Sequence, residues 1–464
     1  MFTSIINTLN NCFKIPELKS RIIFTMIVLG ICRLTSLVPV PGLDGAALTR
    51  FFDSKAGQNS GGGFLGMYSM FTGGGFEHCA IGSLGIMPYI SSTIILQLLQ
   101  AVVPFLSKLA REEGGRTKLI QYGRVLTLFL CLGQGLVMAI GWEHAGGNGG
   151  MFQGLESNLV LIPNRFWYLL QTTVILSTGT MLLMWLGEQI TDRGIGNGIS
   201  LIITVGILAR LPQAGRGLVD MFLTTGPLGE HQFNIFHLVA LVLLLFAVIA
   251  GVVAVTQAER KIPVQYAQQM RGRKMYSGGS SFMPLRVNYS GVMPVIFASA
   301  ILMVPTMILS FLGRTYHWKV FDELSEALST GSFTYLLLYG LMILFFSYFW
   351  VATQFNELQI ADDLKKNNGY IPGVRPGQAT SNYLHRTMSR ITLAGALFLT
   401  IIAVIPIILA RQLNIPQPVA QFFGGTSMLI IVGVMLDTMR QMESHLLMRH
   451  YDGFLKKGRL KGRF

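Results

Sequence analysis

Ten long apolar runs divide this chain of 464 residues, and they constrain its fold more than any single motif does. A helix needs about 20 mostly apolar residues to cross the hydrocarbon core of a bilayer, which is about 30 Å thick. Charged residues make up only 12% of the chain, whereas a typical soluble protein has about 25%. The sequence therefore predicts an all-α, polytopic membrane protein with ten transmembrane helices. The predicted spans are 22–39, 80–106, 125–140, 167–186, 199–211, 236–255, 292–312, 333–355, 391–410 and 422–436.

Positive charge is distributed unevenly between alternate loops. The N-terminal arm, the loops after spans 2, 4, 6 and 8, and the C-terminal tail hold 27 of the 36 Lys and Arg residues. The loops after the odd-numbered spans, with the span ends beside them, hold eight. Because Lys and Arg are enriched in cytoplasmic loops, this pattern predicts that both termini are cytoplasmic, and an even number of spans agrees. The net charge of +14 thus follows from membrane topology and does not indicate nucleic-acid binding.

The ten spans divide into two sets of five. The predicted N-terminal half is 1–211, followed by an inter-half loop at 212–235, a C-terminal half at 236–441 and a basic tail at 442–464. Because five is an odd number, the second half would be inverted relative to the first. Inverted repeats are typical of membrane transport proteins whose pathway lies between the repeats. We therefore expect a central pore between two inverted five-helix halves.

A short apolar segment before the second span cannot cross a membrane alone. Residues 64–72 lie between two glycine triplets, 61–63 and 73–75, and would form a helix of roughly 14 Å. Glycine triplets give flexible joints on both sides of this helix. A small amphipathic element on such tethers, next to a full span, is typical of a mobile gate or stopper. Its apolar face would be formed by Phe64, Met67, Tyr68 and Phe71.

The sequence carries no signature of catalysis or of ion coupling. It has no phosphate-binding GxxxxGK[ST] loop, and its four cysteines form no CxxC pair. We therefore expect no enzymatic activity, no cofactor and no metal. An ion-coupled carrier usually keeps buried acidic or His side chains in its pathway, whereas charges within the spans are nearly limited to Arg33. We expect Arg33 to be structural, paired with an acid or a carbonyl, rather than a substrate site.

Two pairs of isoleucines lie four residues apart, Ile86 with Ile90 and Ile199 with Ile203. Such pairs share one helical face, and a hydrophobic constriction gates a pore by excluding water. Spacing alone, however, favours ordinary packing or contact with lipid. A small-solute permease would need a polar pocket near the midplane, and a membrane-embedded enzyme would need a pair of catalytic groups at that depth. Neither requirement is visible in the sequence.

Seven motifs follow one another along nearly the whole chain. They are PVPG at 39–42, MFTGG at 70–74, LGIMPYIS at 84–91, TMLLMWLGEQIT at 180–191, RGIGNGIS at 193–200, YIPGVRPG at 370–377 and FGGTS at 423–427. In sequence and order they resemble the SecY family, the channel subunits of the Sec protein translocase. The resemblance implies a channel that passes unfolded preproteins across a membrane and releases membrane helices sideways through a lateral gate.

The resemblance also implies roles for individual residues. It implies a plug at about residues 63–73 that seals the outer funnel, including Phe64, Leu65, Met67, Tyr68, Met70 and Phe71. It implies a pore ring formed by Ile86, Ile90, Ile199, Ile203, Ile296 and Ile430. Finally, it implies a lateral gate between spans 2 and 7, bordered by spans 3 and 8, with a polar lining that includes Ser91 and Gln134.

The partners and location follow from the same resemblance. The loops after spans 6 and 8 would bind the motor ATPase SecA and the ribosome, through Arg375 together with Arg271, Arg273 and Lys274. Other implied partners are the small membrane subunits SecE and SecG, unfolded preproteins and signal sequences, and the proteins SecDF and YidC. The basic tail indicates contact with anionic lipids or with ribosomal RNA. The implied location is the bacterial inner membrane.

Overall fold

The chain is largely helical in the computed structural model. The structure describes residues 15–53, 68–69, 71–112, 114–144, 159–223, 235–266, 269–271, 274–276, 280–316, 320, 323–324, 327–328, 332–412, 419 and 425–457. The helices are α1 (Pro16–Thr35), α2 (Gly45–Asp53), α3 (Met87–Val102), α4 (Pro104–Arg111), α5 (Gly115–Glu143), α6 (Arg165–Arg193), α7 (Gly198–Leu208), α8 (Leu211–Leu223), α9 (Ile235–Gln257), α10 (Met293–Tyr316), α11 (Phe333–Gln354), α12 (Glu357–Lys366), α13 (Gln378–Gln412) and α14 (Gly425–Lys457). The strands are β1 (Glu259–Tyr266), β2 (Gln269–Arg271), β3 (Lys274–Tyr276), β4 (Ser280–Arg286) and β5 (Gly369–Tyr370).

Six helical segments among the described residues are long and apolar enough to cross a membrane, and the bent pair α3 and α4 makes a seventh if it counts as one span. Helix α1 fails the criterion because Lys19, Arg21 and Arg33 fall within every 18-residue stretch of it. Helix α14 is apolar only in its N-terminal part. The several apolar spans confirm a polytopic, mainly helical membrane protein, whereas the count of ten stays a prediction. The six segments correspond to α5, α6, α7 with part of α8, α9, α11 with α12, and α13.

The second span is shorter than the sequence analysis predicted. Helix α3 begins at Met87 instead of residue 80, and residues 81–86 form turns. Pro88 lies in the first turn of α3, where its missing N–H leaves no hydrogen bond unmade. Val103 is extended (φ −94°, ψ 113°) because the residue before a proline avoids the helical region. As a result α4 leaves α3 at an angle of 104°.

The helices of the two halves pack in the same order. In the N-terminal half α3 packs against α5, α5 against α6, α6 against α7, and α1 against both α6 and α7. In the C-terminal half α10 packs against α11, α11 against α13, α13 against α14, and α9 against both α13 and α14. Each pair thus has a counterpart five spans later, as an internal repeat predicts. The halves meet where α3 packs against α10 and α7 against α14.

Two connecting segments contain regular structure that the sequence analysis did not predict. The segment 212–235 begins as a helix, because α8 covers Leu211–Leu223, and residues 224–234 lie outside the described part. After span 6, β1 pairs antiparallel with β4 on one side and with β5 on the other. Strand β5 belongs to the loop after span 8. The three-stranded sheet therefore joins the two loops that carry the expected docking residues.

A close backbone contact at Gly179 of α6 provides a test of this packing. A Cβ added at Gly179 would lie 2.2 Å from the carbonyl oxygen of Ile81. We expect Gly179→Ala to lower the melting temperature in detergent by several degrees, because overpacking costs about 1–3 kcal/mol. Gly133→Ala in α5 is the matched control, since nothing lies within 4 Å of its added Cβ. An equal melting temperature for the two variants would contradict the contact.

Candidate pore, plug and gate

Six isoleucines lie on the four helices that join the two halves or, for Ile86, directly before one of them. Five of these side chains are between 0% and 4% exposed, and Ile199 is half-buried. All six belong to one hydrophobic cluster or pack against it. Because these side chains leave almost no surface for water, the interface between the halves is closed in this state. We call this set the isoleucine collar: Ile86 and Ile90 at the start of α3, Ile199 and Ile203 on α7, Ile296 on α10 and Ile430 on α14.

The starts of α3 and α7 determine where four of these isoleucines lie. The Ile90 N–H donates to the Ile86 carbonyl at 3.1 Å, which closes the first turn of α3. Asn197 caps α7, because its side chain accepts from the Ile199 N–H at 3.2 Å. Asn is among the preferred N-cap residues. Each pair is therefore one helical turn apart and shares a face.

The C-terminal end of the expected plug is buried beside the collar. Tyr68 and Phe71 are only 9% and 4% exposed. The Tyr68 ring meets Phe76 edge-on, with 5.4 Å between ring centroids, a favoured aromatic geometry. Phe71 also lines the same small cavity as Ile86. The other expected plug residues lie outside the described part of the chain: Phe64, Leu65, Met67 and Met70.

Two glycines turn the chain sharply after the plug. Gly73 and Gly74 have φ values of +64° and +84°, in the left-handed region that favours glycine. Gly73 also lies directly against α7, since a Cβ added to it would be 2.9 Å from the Gly206 Cα. The backbone of the plug end and the backbone of α7 therefore meet with no side chain between them.

Two arginines hold the same short stretch of chain. Arg33 of α1 donates to the Gly73 carbonyl, which confirms the expectation that Arg33 pairs with a carbonyl. Arg210, just after α7, forms an ion pair with Glu77 and also donates to the Ser69 hydroxyl. The sequence analysis missed this pair, and buried charge in the predicted spans is not limited to Arg33. Because Arg210 and Glu77 are 133 residues apart, no local spacing could reveal them.

The two seams between the halves differ in their polar contacts. On the α3–α10 seam we consider residues 87–102 of α3 and 293–302 of α10. Their side chains form hydrogen bonds with α5 or within their own helix. On the α7–α14 seam, the N–H of Gly196 donates to Oε1 of Gln441 at 2.9 Å. Within those residue ranges no side-chain hydrogen bond crosses the α3–α10 seam, and both helices contribute buried apolar side chains to one hydrophobic cluster.

The two expected gate-lining residues lie on the neighbouring helices α3 and α5. Ser91 on α3 and Gln134 on α5 are both half-buried. The hydrogen bond between these two helices comes instead from Ser92, whose hydroxyl donates to the Gly123 carbonyl at 2.8 Å. Ser92 was not among the expected gate residues, although it directly follows Ser91. Span 2 is therefore tied to span 3, on the side away from α10.

Arg375 projects from a rigid turn between β5 and α13. Its side chain is exposed. Gly373 and Gly377 on either side have φ values of +83° and +100°, and the Thr380 hydroxyl donates to the Arg375 carbonyl at 2.9 Å. The turn thus fixes the backbone and leaves the guanidinium free to meet a partner.

The loop after span 6 lies beside this turn. Gln265 of β1 pairs with Tyr370 of β5, and the Tyr370 hydroxyl donates to Oε1 of Gln265 at 3.0 Å. Arg271 and Lys274 are opposite each other in the β2–β3 hairpin, whereas Arg273 lies outside the described residues. The loops after spans 6 and 8 are therefore joined into one surface.

Comparison with known proteins gives a match over most of the chain. The SecY family model matches residues 80–439. The Chlamydia muridarum protein named Protein translocase subunit SecY is 43% identical over 464 residues, which cover 98% of this chain and 99% of that protein.

Solved structures share the fold. A structure described as that of a protein conducting channel matches with a TM-score of 0.59 and 17% identity, over 95% of this chain and 94% of that chain. Sec61 in the canine ribosome-channel complex from the endoplasmic reticulum matches with a TM-score of 0.53 and 16% identity, over 95% and 94% of the two chains. These structures show the fold, and the sequence relatives show the family. The chain belongs to the SecY family of protein translocase subunits.

Proposed function

We propose that the isoleucine collar is the constriction through which unfolded preproteins cross the bacterial inner membrane. The chain is a protein translocation channel subunit by family. One observation carries the assignment of the pathway: the collar draws side chains from all four helices that join the halves. A polypeptide that passes between the halves must therefore pass these side chains.

The chemistry of isoleucine suits a constriction that accepts many sequences. Its β-branched side chain is stiff at χ1 and offers no hydrogen-bonding group to a passing peptide. A narrow apolar constriction also excludes water and ions when no peptide fills it. The collar thus grips a translocating chain without selecting its sequence. The plug at residues 63–73 completes the closure from the outer side in this proposal.

The α3–α10 seam is the proposed lateral gate. Within residues 87–102 and 293–302, this seam can open without breaking a side-chain hydrogen bond between the two helices. An opening there lets a segment of nascent chain sample lipid, where each Leu gains about 0.5 kcal/mol and one central Arg costs about 2.5 kcal/mol or more. Apolar segments would leave sideways as membrane helices, and polar segments would continue through the collar.

The energy for transport comes from partners in this proposal. SecA and the ribosome would bind the joined surface of the loops after spans 6 and 8, with Arg375 as the main contact. The match to Sec61 in a ribosome-channel complex supports the ribosome as a partner. SecE and SecG would be companion subunits, SecDF and YidC would act with the channel, and the basic tail would contact anionic lipids. Both termini are cytoplasmic in this topology.

A photocrosslinking experiment tests the pathway. A photoreactive amino acid at Ile90 should label a preprotein that is stalled during translocation, because the collar surrounds the passing chain. The same amino acid at Leu99, also on α3 but 42% exposed on the outside of the structure, is the control. Labelling at Leu99 but never at Ile90 would exclude the collar from the pathway.

A charge reversal tests the docking surface. Arg375→Glu should reduce preprotein export by at least about tenfold, since it places a carboxylate where charge complementarity guides partner binding. The melting temperature should not change, because the Arg375 side chain is exposed. Lys118→Glu, an exposed reversal at the start of α5 and outside the loops after spans 6 and 8, is the control and should export normally. Normal export by Arg375→Glu would remove its docking role.

A further inference from the structure

We infer that the ion pair of Glu77 and Arg210 is a fixed receptor for the plug residue Ser69, and that this receptor sets how firmly the plug closes the channel. The inference rests on the proposed function, since it takes residues 63–73 as the plug. It names the polar contacts that must break when the plug moves.

Ser69 is bonded to both members of the pair at once. Its hydroxyl donates to Oε1 of Glu77 at 2.8 Å and accepts from Nη2 of Arg210. Arg210 Nη2 also donates to the same Glu77 oxygen. A hydroxyl is suited to this position because it donates and accepts together. The three side chains thus form a closed ring of charge-assisted hydrogen bonds, which are stronger than neutral ones.

The receptor is shielded from water. Ser69 is 0% exposed, and the side chains of Arg210 and Glu77 are 15% and 13% exposed. When a partner leaves a polar group in such surroundings and nothing replaces it, the free energy of that state rises. Departure of Ser69 therefore weakens the contacts of two charged groups until water reaches them.

We call Gly73 and Gly74 the glycine hinge, about which the plug moves. The ion pair stays in place during this movement, because both of its residues lie outside the moving segment. Glu77 follows Gly73 and Gly74, and its carbonyl accepts from the Thr49 hydroxyl of α2 at 3.2 Å. Arg210 lies two residues after the last residue of α7. Ser69 precedes the hinge. Movement about Gly73 and Gly74 therefore separates Ser69 from the pair without separating the pair itself.

A second arginine acts on the hinge. Arg33 donates to the Gly73 carbonyl from α1, so spans 1 and 5 each supply one guanidinium to this end of the plug. The contact at Gly73 is to the backbone and does not depend on a plug side chain. The contact at Ser69, by contrast, depends on one side-chain hydroxyl, so a single substitution can remove it.

Ser69→Ala is the direct test. The full-length chain is purified with its membrane partners and reconstituted in vesicles of phosphatidylethanolamine and phosphatidylglycerol, and potassium conductance is recorded without preprotein. We expect conductance to rise by about tenfold, because two hydrogen bonds to charged groups are lost from the closed state only. Conductance equal to that of the unsubstituted chain would overturn the inference.

Ser83→Ala is the matched control. Ser83 is also 0% exposed, and its hydroxyl donates to the Gly75 and Ala80 carbonyls at 2.9 and 2.6 Å, beyond the hinge. The same substitution there removes buried hydrogen bonds without touching the plug contact. Its conductance should remain that of the unsubstituted chain. An equal rise in both variants would mean that general loosening, and not the receptor, controls the closed state.

A charge exchange tests the ion pair itself. Glu77→Arg or Arg210→Glu alone leaves like charges buried together, so each should raise conductance or prevent folding. The double variant restores an opposite pair that the Ser69 hydroxyl still bridges, and its conductance should fall back. A double variant that folds but conducts like Ser69→Ala would overturn the receptor role.

Deletion of residues 64–72 separates this inference from the proposed function. If the deletion raises conductance and Ser69→Ala does not, the plug assignment stands and the receptor is wrong. If the deletion leaves conductance unchanged, the plug assignment fails, and the receptor fails with it. If the deletion and Ser69→Ala each raise conductance, the plug assignment and the receptor are both supported.

Discussion

The apolar contact between the two five-helix halves is the constraint on which the rest of this structure depends. Within the N-terminal half, glycines let helices approach one another's backbones, as at Gly198 of α7, where an added Cβ would lie 1.9 Å from the Gly187 carbonyl oxygen of α6. Such contacts resist sliding because backbone cannot yield as a side chain does. Between the halves along α3 and α10, by contrast, the contact is non-directional. In the proposed channel, the seam between the halves is therefore the place where the structure separates.

The two seams are not equivalent, and the difference gives the opening a direction. The Gly196–Gln441 hydrogen bond ties the α7–α14 seam near the start of α7. The described part of the α3–α10 seam carries apolar contact, and Ser92 binds α3 to its own half. In the proposed channel, this difference favours separation along α3 and α10, with the α7–α14 side remaining joined. In the proposed channel, closure combines two interactions: the collar excludes water by apolar packing, whereas Ser69 is held by oriented hydrogen bonds to charged groups.

Much of this architecture could be predicted from sequence because a membrane makes local composition decisive. Long apolar runs must be helical where water is absent, and a carbonyl or acid partner for Arg33 follows from the same requirement. The start of α3 at Met87 could not be predicted, since residues 80–86 are as apolar as a helix but are held in turns by contacts to distant segments. One is the Ile81 N–H, which donates to the Val38 carbonyl at 2.9 Å. The Arg210–Glu77 pair was hidden for the same reason, as only the folded chain brings those residues together.

The meeting of Gly73 with Gly206 has a consequence for the speed of resealing. Side chains that interdigitate must find matching rotamers before two surfaces can rejoin, and each one loses conformational entropy as it is fixed. Glycine has no side chain, so the contact between Gly73 and Gly206 forms without the fixing of any rotamer. An added Cβ on Gly206 would still lie 3.5 Å from the Gly73 Cα, so the α7 side of this contact is a smooth, preformed surface. In the proposed channel, this end of the plug would therefore reseal without a rotamer search, and only movement of the segment would limit how long the channel stays open.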